Sequence, residues 1–167
     1  MNKSKKLPIS CICSIYKKTN LHEFSLALDS LIIQEYIPDE IIIIVDGVVN
    51  SDVDKFLNFL KKKNDIFKVF YFEQNKGLGL ALKFGIPKCK NELVARFDSD
   101  DINLQDRLKI QFKYLKDNPR ISIVGTDIFE FSSYHEDLTI KKMNNNFKGI
   151  FKIHMIRNPL NHSTVIF

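Results

Sequence analysis

The chain has 167 residues, 44% of them hydrophobic and 27% charged, which indicates one globular domain with its own core and excludes a disordered segment. Lys and Arg exceed Asp and Glu by 25 to 20, and the net charge of +5 gives a weak attraction for anionic ligands or an anionic membrane surface. The lysines stand in short groups typical of solvated faces, which argues against nucleic-acid binding.

Three cysteines, Cys11, Cys13 and Cys89, form neither an even disulfide set nor a Cys-x-x-Cys metal pattern. They predict a reducing compartment. Cys11 and Cys13 are two residues apart in a strand-like run, so we expect both on one face as small apolar core side chains. No continuous apolar run approaches the ~20 residues that span a bilayer. We therefore expect a soluble, cytoplasmic protein.

Strand and helix patterns alternate along the chain. Apolar, β-branched segments predict strands at residues 7–15, 40–46, 67–72, 93–97 and 121–125. Helical spacing predicts helices at residues 21–32, 52–63 and 78–86, and a fourth around Leu108, Phe112 and Leu115. Pro38 and Asp39 predict a chain break before the second strand, with Asp39 and Glu40 as solubilising residues at the strand edge.

The last third of the chain is less regular. Residues 131–146 are polar and predict a long surface loop or a hairpin, residues 147–156 a helix, and residues 163–167 a strand. The regular part predicts an α/β fold with a mainly parallel central sheet covered on both faces. In such sheets ligands gather at the carboxyl ends of the strands, where Tyr16 and Asp46 should lie together with residues 98–101.

An acidic turn, formed by Asp98, Ser99, Asp100 and Asp101, follows the predicted fourth strand. Its hard carboxylate oxygens suit Mg²⁺ or Mn²⁺, ions that usually complete their coordination with substrate phosphate oxygens. The alternative is structural, because Asp and Ser are common in turns, and Asp101 or Asn103 would then cap the helix that follows. The turn by itself leaves both interpretations open.

Four segments occur in the order found in a known family. They are residues 9–17 (Ile-Ser-Cys-Ile-Cys-Ser-Ile-Tyr-Lys), 40–47 (Glu-Ile-Ile-Ile-Ile-Val-Asp-Gly), 75–82 (Asn-Lys-Gly-Leu-Gly-Leu-Ala-Leu) and 95–102 (Ala-Arg-Phe-Asp-Ser-Asp-Asp-Ile). This order resembles the inverting family 2 glycosyltransferases over nearly the whole chain. The bacterial enzymes that build exopolysaccharide, capsule or lipopolysaccharide also have an Asn-Pro-x-Asn-His-x-Thr-Val segment, which matches residues 158–165.

The resemblance implies a GT-A fold: a Rossmann-like, three-layer α/β/α nucleotide-diphospho-sugar transferase domain over residues 1–167. A sugar donor would lie across the carboxyl edge of its sheet. Ser14 and Tyr16 would contact the donor, with Tyr16 beside the base or ribose unless it is an ordinary half-buried tyrosine. Asp46 would accept hydrogen bonds from the base or ribose, or else be a turn residue. Lys76 would touch the diphosphate at a helix N-terminus, or remain a solvated lysine.

Asp98 and Asp100 match the Asp-x-Asp motif of the family, with Asp101 adjacent. Carboxylates so close repel one another, which a bound Mn²⁺ or Mg²⁺, or Arg96 two residues earlier, would relieve. The resemblance implies an ion held by Asp98, Asp100 and Asp101 against the donor phosphates, with Arg96, Asp98 and Ser99 as donor contacts. Arg96 alternatively pairs with Asp100.

Inverting transfer needs a general base that deprotonates the acceptor hydroxyl. The family places it in an acidic motif farther toward the C-terminus, so we expect the base beyond Phe167 and a chain that lacks the acceptor and base elements. Within the chain, Asp127 and His162 are the candidates. Arg107 is expected to form a structural ion pair on its helix.

The resemblance implies a glycosyltransferase that moves a sugar from a nucleotide-diphosphate donor, with a UDP-sugar favoured, to a glycan or lipid-linked acceptor of a bacterial surface glycan. Peripheral association with the inner face of the cytoplasmic membrane stays open. The alternative is a non-catalytic nucleotide-sugar-binding fragment. A nicotinamide site at Gly77 and Gly79 is rejected because Leu82 stands where a third glycine belongs. A phosphatase with Asp98 as nucleophile would have its Asp-x-Asp pair after the first strand.

Overall fold

The computed structural model describes residues 5–131, 139–143, 147–156 and 158–167. Strands and helices alternate up to residue 117: β1 (Lys5–Ile15), α1 (Leu21–Ile32), β2 (Tyr36–Asp46), α2 (Ser51–Lys63), β3 (Phe67–Phe72), α3 (Leu78–Gly85), β4 (Leu93–Arg96) and α4 (Arg107–Asp117). A hairpin and a further helix follow: β5 (Ile128–Glu130), β6 (Thr139–Lys141) and α5 (Phe147–His154). Single 3₁₀ turns cover Ile86–Lys88 and His162–Thr164.

The first four strands form a wholly parallel sheet in the order β3-β2-β1-β4. The central strand β2 is buried on both faces, because every residue from Ile41 to Val45 has no exposed surface. This burial explains its continuous run of β-branched residues. The predicted parallel α/β sheet is confirmed. Since all four strands point the same way, the residues after Ile15, Asp46, Phe72 and Arg96 share one edge of the sheet.

Alternate strand residues pack against helices on opposite sides of the sheet. Cys11 and Cys13 belong to the core that α1, α2 and α4 complete, whereas Ile12 and Ile42 belong to a second core under α3. The core role predicted for the two cysteines is confirmed, since both are buried. Burial raises the pKa of the Cys11 thiol to about 12, so it stays neutral. The two cores make the three-layer arrangement.

The chain break predicted at Pro38 and Asp39 is wrong, because β2 begins at Tyr36 and runs through both residues. Pro38 pairs with Leu7, next to an irregularity where the register between β1 and β2 shifts. A proline lacks an N–H donor, and such irregular positions in a sheet tolerate that loss. β1 has two residues between Leu7 and Ser10 where β2 has one between Pro38 and Glu40, so the bulge lies on β1, opposite the segment that Pro38 begins.

Asp39 and Glu40 are not exposed solubilising residues. Glu40 is 4% exposed, and its Oε1 accepts hydrogen bonds from the Ser10 hydroxyl at 2.6 Å and from the Lys90 N–H at 2.6 Å. Asp39 forms an ion pair with Lys90, with Oδ2 2.8 Å from Nζ. A buried carboxylate is stable only when its oxygens are hydrogen-bonded, and these partners provide that. Both residues anchor the loop before β4 to the sheet.

The strand predicted at residues 121–125 does not form. Val124 makes only an isolated antiparallel bridge with Ile166. Ile121 and Ile123 are exposed, so their alternation with polar residues does not turn an apolar face toward the core.

The strand predicted at residues 163–167 is also replaced, by a 3₁₀ turn and by two isolated antiparallel bridges of Ile166, one with Ala95 and one with Val124. The final residues nevertheless run beside β4. The Val94 N–H donates to Phe167 O at 2.8 Å, and the Phe167 N–H donates back to Val94 O at 3.1 Å. This segment covers the outer side of β4, where it carries His162 to the carboxyl edge.

After α4, the strands β5 and β6 pair in an antiparallel hairpin, in which Ile128 pairs with Lys141. Residues 131–146 were predicted to form a long surface loop or a hairpin; of the observed hairpin only β6 lies in that range, because β5 ends at Glu130, and residues 132–138 and 144–146 lie outside the described part. The helix predicted at residues 147–156 is confirmed as α5. Within the described ranges, no helix combines the length and the hydropathy that crossing a membrane requires.

Candidate functional site

The acidic turn leaves the sheet at its carboxyl edge, directly after β4. Phe97 is buried, and its N–H donates to Ile12 O at 3.2 Å, which is the last backbone bond from this strand to β1. The side chain of Asp98 is 27% exposed, whereas Asp100 and Asp101 are exposed residues. The turn therefore begins at a buried residue, Phe97, and exposes its carboxylates to solvent.

Arg96 joins Asp98 to His162. Its guanidinium is almost fully buried and lies 2.6 Å from Asp98 Oδ1 and 3.0 Å from His162 Nδ1, while Nη1 donates to Phe97 O at 2.8 Å. Because an arginine only donates, His162 Nδ1 accepts and the ring proton lies on Nε2. His162 Nδ1 is also 3.7 Å from Asp98 Oδ2. The pairing of Arg96 with Asp100 is wrong: its partner is Asp98.

Arg107 supports β4 from α4 through neutral acceptors. It donates to Arg96 O at 2.7 Å, to Gln111 Oε1 at 3.0 Å and to Asn103 Oδ1. Desolvation lowers the pKa of its guanidinium below the ordinary value. The ion pair predicted on its helix is replaced by these bonds, because the start of α4 lies against backbone and amide groups.

The helix-cap interpretation of the acidic turn is wrong. α4 begins at Arg107, and the residue before it, Asp106, is the N-cap position. Asn103 instead donates from both its backbone N–H and its Nδ2 to the Ser30 hydroxyl, at 3.0 and 3.1 Å. Asn103 is thus bound to α1, and Asp101 precedes the helix by too many residues to cap it. The carboxylates of the turn are free of a capping role.

Electrostatic repulsion acts within the acidic turn. Partial desolvation, together with the charges of Asp101 and Asp98, raises the pKa of Asp100 above its ordinary value. Among the residues that the structure describes, no three His, Cys, Asp or Glu side chains gather into a group that could hold a metal ion. Ser99 is half-buried between the two aspartates of the motif. The turn thus offers separate carboxylates, without a closed cage.

Asp46, at the end of β2, binds the loop before α3. Its Oδ1 accepts from the Lys76 N–H at 2.7 Å, and its Oδ2 accepts from the Gly77 N–H at 2.8 Å and from Asn75 Nδ2 at 3.0 Å. Asp46 is 3% exposed. The carboxylate therefore accepts from one side-chain amide and from the two backbone amides that directly precede α3. The position fits the carboxyl edge predicted for Asp46, while these partners were not predicted.

Two glycines make this close approach feasible. Gly47 and Gly77 have φ angles of +85° and +87°, which favour glycine. A Cβ at Gly47 would lie 2.7 Å from the Asn75 backbone nitrogen, whereas one at Gly77 would have no neighbour within 4 Å. Gly47 is therefore required both for its backbone angle and for the contact between the two loops.

A cavity of about 240 Å³ opens beside Asp46. Its wall comes from residues directly after β1 and β2 and from the bound loop, namely Lys17, Asp46, Val48, Val49, Asn50 and Asn75. Sequence reasoning missed Lys17 and residues 48–50. Their position just after strand ends was the available signal, since those positions line the ligand crevice of parallel sheets.

Ser14 and Tyr16 lie where the sequence predicted, at the carboxyl end of β1. Ser14 is half-buried and pairs with Ile44 in the ladder. Tyr16 has a side chain at the surface, 43% exposed, and its backbone closes a turn with Thr19: its N–H donates to Thr19 Oγ1 at 3.0 Å. This turn directs the chain from β1 into α1, and it leaves the Tyr16 ring accessible.

Lys76 divides its contacts between two regions. Its backbone N–H is bound by Asp46, but its Nζ lies 4.8 Å from the centre of the Phe72 ring. The side chain lines a separate groove with Leu80 and Phe84, not the cavity beside Asp46. The structure therefore does not bring the Lys76 ammonium together with the acidic turn.

The two base candidates occupy different surroundings. Asp127 Oδ1 accepts from the Met143 N–H at 2.6 Å and so holds the base of the β5–β6 hairpin. His162 contacts Arg96 and Asp98. Of the two, His162 is the residue that the fold brings to the acidic turn.

Comparison with known proteins gives a consistent result. The model of glycosyl transferase family 2 matches residues 10–165. A relative from Escherichia coli, UDP-Gal:alpha-D-GlcNAc-diphosphoundecaprenol beta-1,3-galactosyltransferase, is 35% identical over 95% of this chain. The amylovoran biosynthesis glycosyltransferase AmsE of Erwinia amylovora is 30% identical over 95% of it. The chain spans 57% and 59% of the lengths of these two relatives.

Two solved structures share the fold. One is a mannosyltransferase, PcManGT from Pyrobaculum calidifontis in complex with GDP-Man and Mn²⁺, with a TM-score of 0.65 at 12% sequence identity. The match covers 96% of this chain and 44% of the mannosyltransferase chain. The other is S. aureus TarS 1-349, with a TM-score of 0.60 at 20% sequence identity; the match covers 72% of this chain and 35% of the TarS chain. At these identities the likeness concerns the fold alone, and it confirms the GT-A architecture.

Proposed function

The chain belongs to glycosyl transferase family 2, and from this membership we propose that it is the donor-binding part of a metal-dependent, inverting glycosyltransferase. The proposed reaction transfers a sugar from a nucleotide-diphosphate donor to a bacterial surface glycan. The observation that carries the proposal is the position of Asp98, which stands at the carboxyl edge of a parallel sheet with Arg96 and His162 against its two oxygens. In open α/β sheets this edge is the ligand crevice.

The donor nucleotide is proposed to lie between the cavity beside Asp46 and the acidic turn. Tyr16 supplies an exposed ring that can stack on a base, and Ser14 lies at the end of the same strand. Asp46 already accepts hydrogen bonds from three N–H groups of the protein, so it can accept few from the nucleotide. Its role is to hold the wall of the cavity in place. Lys76 contributes through its backbone, which keeps that wall in place.

A UDP-linked donor and a lipid-linked or glycan acceptor are proposed by analogy. The E. coli relative is named for UDP-Gal as donor and for a diphosphoundecaprenol-linked sugar as acceptor. Other relatives are named for amylovoran and O-antigen biosynthesis, which supports a surface polysaccharide as the product class. A lipid-linked acceptor would place the reaction at the inner face of the cytoplasmic membrane.

Mn²⁺ or Mg²⁺ fits the donor set of the acidic turn. Asp98, Asp100 and Asp101 offer hard oxygen ligands, and a cation would oppose the desolvation and the repulsion from Asp101 and Asp98 that together raise the pKa of Asp100. Ions of this kind are often held by one or two carboxylates plus phosphates and water, so a closed three-residue cage is not required. When bound, the ion would supply charge neutralisation for the departing nucleoside diphosphate.

The chain's own residues have separate tasks in this proposal. Arg96 fixes the Asp98 carboxylate and adds positive charge to the phosphate side of the site, and Ser99 offers a hydroxyl beside it. His162 accepts from Arg96 at Nδ1 and therefore presents an Nε2–H donor, which suits substrate positioning better than proton abstraction. Asp127 accepts a hydrogen bond from the Met143 N–H at the β5–β6 hairpin. We therefore keep the general base outside residues 1–167.

A thermal-shift panel tests the donor site. UDP, GDP and dTDP sugars are added with and without Mn²⁺ to the wild type and to Asp100→Ala. We expect the melting temperature to rise with one nucleotide class in a metal-dependent way, and the rise to disappear in Asp100→Ala. Asp52→Ala, which removes an exposed carboxylate from α2, serves as the matched control and should respond like the wild type.

Two measurements test the proposal against its alternatives: this thermal-shift panel, and an assay of sugar transfer to a lipid-linked acceptor. The absence of any metal-dependent shift, or an unchanged shift in Asp100→Ala, would contradict the donor site. A normal shift without sugar transfer by the chain alone agrees both with a donor-binding part whose general base lies outside it and with a non-catalytic nucleotide-sugar-binding fragment. Transfer by the chain alone would contradict a general base outside it.

A further inference from the structure

A second groove, of about 880 Å³, lies between the end of β3 and α3. β3 is the edge strand of the sheet, and its residues Phe70 and Phe72 belong to the core on the α3 side. Both rings pack edge-to-face on Phe84, with ring centroids 6.0 and 5.0 Å apart. We call this surface the α3 face; it consists of these three aromatic residues and the side chains described next.

α3 leaves much of its apolar surface uncovered. Ala81 and Gly85 are buried against the sheet, whereas Leu78, Leu80 and Phe84 are 44%, 53% and 38% exposed. A helix with this composition normally turns its apolar residues inward. Leu80 lies one turn before Phe84 and lines the same groove, so it extends the phenylalanine cluster into an apolar surface of the kind that marks an interaction site.

Lysines surround this apolar surface. The Lys88 ammonium lies 4.4 Å from the Phe84 ring centre and 5.1 Å from that of Phe70, and Lys76 lies over Phe72. Lys83 lines the groove, and Lys68 is two residues before Phe70 on the same side of β3; Glu73 is the acidic residue of the groove. Lysine stems lie along apolar surface while their ammonium groups reach the solvent. The α3 face is thus apolar in the middle and cationic around it.

We propose that the α3 face docks on the surface of an anionic phospholipid bilayer. Exposed leucine and phenylalanine side chains would enter the boundary between headgroups and acyl chains, while the lysines would meet the lipid phosphates. A second copy of the chain fits less well, because a two-fold contact through this face would set lysines against lysines. The proposal goes beyond the donor site and does not depend on it.

The α3 face is directly connected to the candidate site. The loop that enters α3 is bound by Asp46 through the N–H groups of Lys76 and Gly77. Docking through α3 would therefore hold the carboxyl edge of the sheet at a fixed position relative to the bilayer. A membrane-bound substrate could then reach the edge without leaving the lipid surface.

Vesicle co-sedimentation tests this proposal without any nucleotide. Purified protein is mixed with phosphatidylcholine vesicles or with vesicles that also contain phosphatidylglycerol. We expect binding to the anionic vesicles only, and its release by 0.5 M salt. Replacing Lys68, Lys83 and Lys88 with Gln should weaken binding by about fivefold per lysine, on the order of 100-fold for the three. Lys76 stays intact because it belongs to the proposed donor wall.

Two matched controls make the result specific. Replacement of Lys109, Lys113 and Lys116 by Gln removes the same charge from α4, which packs on the other core, and should leave most of the binding. Leu80→Glu should abolish binding, whereas Ile110→Glu, at an exposed position on α4, should not. Melting temperatures confirm that each variant is folded. Failure to bind anionic vesicles, equal losses with the control lysines, or a dimer that Leu80→Glu dissociates would each overturn the proposal.

Discussion

The guanidinium of Arg96 lies 2.6 Å from the carboxylate of Asp98, and the arginine side chain is 5% exposed. Removing one partner of a buried pair leaves the other charge uncompensated. We expect Arg96→Met to lower the free energy of unfolding in urea by about 3 kcal/mol. Lys113→Met breaks the exposed pair with Asp117 and should cost less than about 1 kcal/mol. Equal losses of unfolding free energy in the two variants would show that the buried Arg96–Asp98 pair stabilises the fold no more than the exposed Lys113–Asp117 pair does.

The contact between the loops after β2 and β3 predicts an order of stabilities for two alanine variants. Gly77→Ala meets no atom within 4 Å and should cost about 1 to 3 kcal/mol through its φ angle alone. Gly47→Ala has a similar φ but also places a Cβ 2.7 Å from the Asn75 backbone nitrogen, so it should cost more. Chemical denaturation measures both. A smaller loss for Gly47→Ala would refute the close approach.

The Asp39–Lys90 pair predicts a pH dependence of stability. The hydrogen bond from Lys90 holds the pKa of the Asp39 carboxyl below its ordinary value of 3.8. A carboxyl with a depressed folded-state pKa stabilises the fold above its unfolded-state pKa, and the contribution is lost as the pH falls through the folded-state pKa. The stability difference between wild type and Lys90→Gln should therefore be full at pH 7 and shrink below about pH 4.

The control for this pH effect is the same lysine substitution in an Asp39→Asn background. Without the carboxyl, Lys90→Gln should change stability by the same amount at every pH. Melting temperatures recorded from pH 7 to pH 2.5 give the comparison. A pH-dependent difference that persists in the Asp39→Asn background would assign the effect to another group.

The three thiols should react in a defined order. Burial raises the pKa of Cys89 to about 11 and that of Cys11 to about 12, and it also raises the pKa of Cys13. Only Cys89 is partly accessible. Alkylation at pH 8 should therefore label Cys89 first, on the order of 100-fold more slowly than a free thiol. Cys11 and Cys13 should react only on unfolding. Mass spectrometry locates the label, and early labelling of Cys13 would contradict its burial.

Regular elements of this fold could be predicted because local patterns decide them. The run from Ile41 to Val45 has no polar alternation, which indicates a strand buried on both faces, and the structure places it in the middle of the sheet. Cys11 and Cys13 were assigned to one face by their spacing alone. The same reasoning failed at residues 121–125, because an alternating pattern cannot reveal that no neighbouring strand completes a ladder.

The partners of the polar residues could not be predicted, because they come from distant parts of the chain. Glu40 is buried because Ser10 and Lys90 bind it. Asp46 could be placed at the end of its strand, but its capture by the Gly77 amide depends on a turn 31 residues later. Several carboxylates follow Arg96 in the sequence, so its ion-pair partner could not be predicted. In the structure the backbone of the turn places Asp98 beside the guanidinium.

The antiparallel pairing of Phe167 with Val94 has a consequence for the order of folding. The four strands of the parallel sheet are complete by residue 96, so a growing chain can form the sheet and the acidic turn early. His162 is 66 residues beyond Arg96, and closing so long a loop is slow relative to local pairing. Among the described residues at the turn, the imidazole is therefore the last to arrive during biosynthesis, and the Arg96–Asp98 pair can form before it.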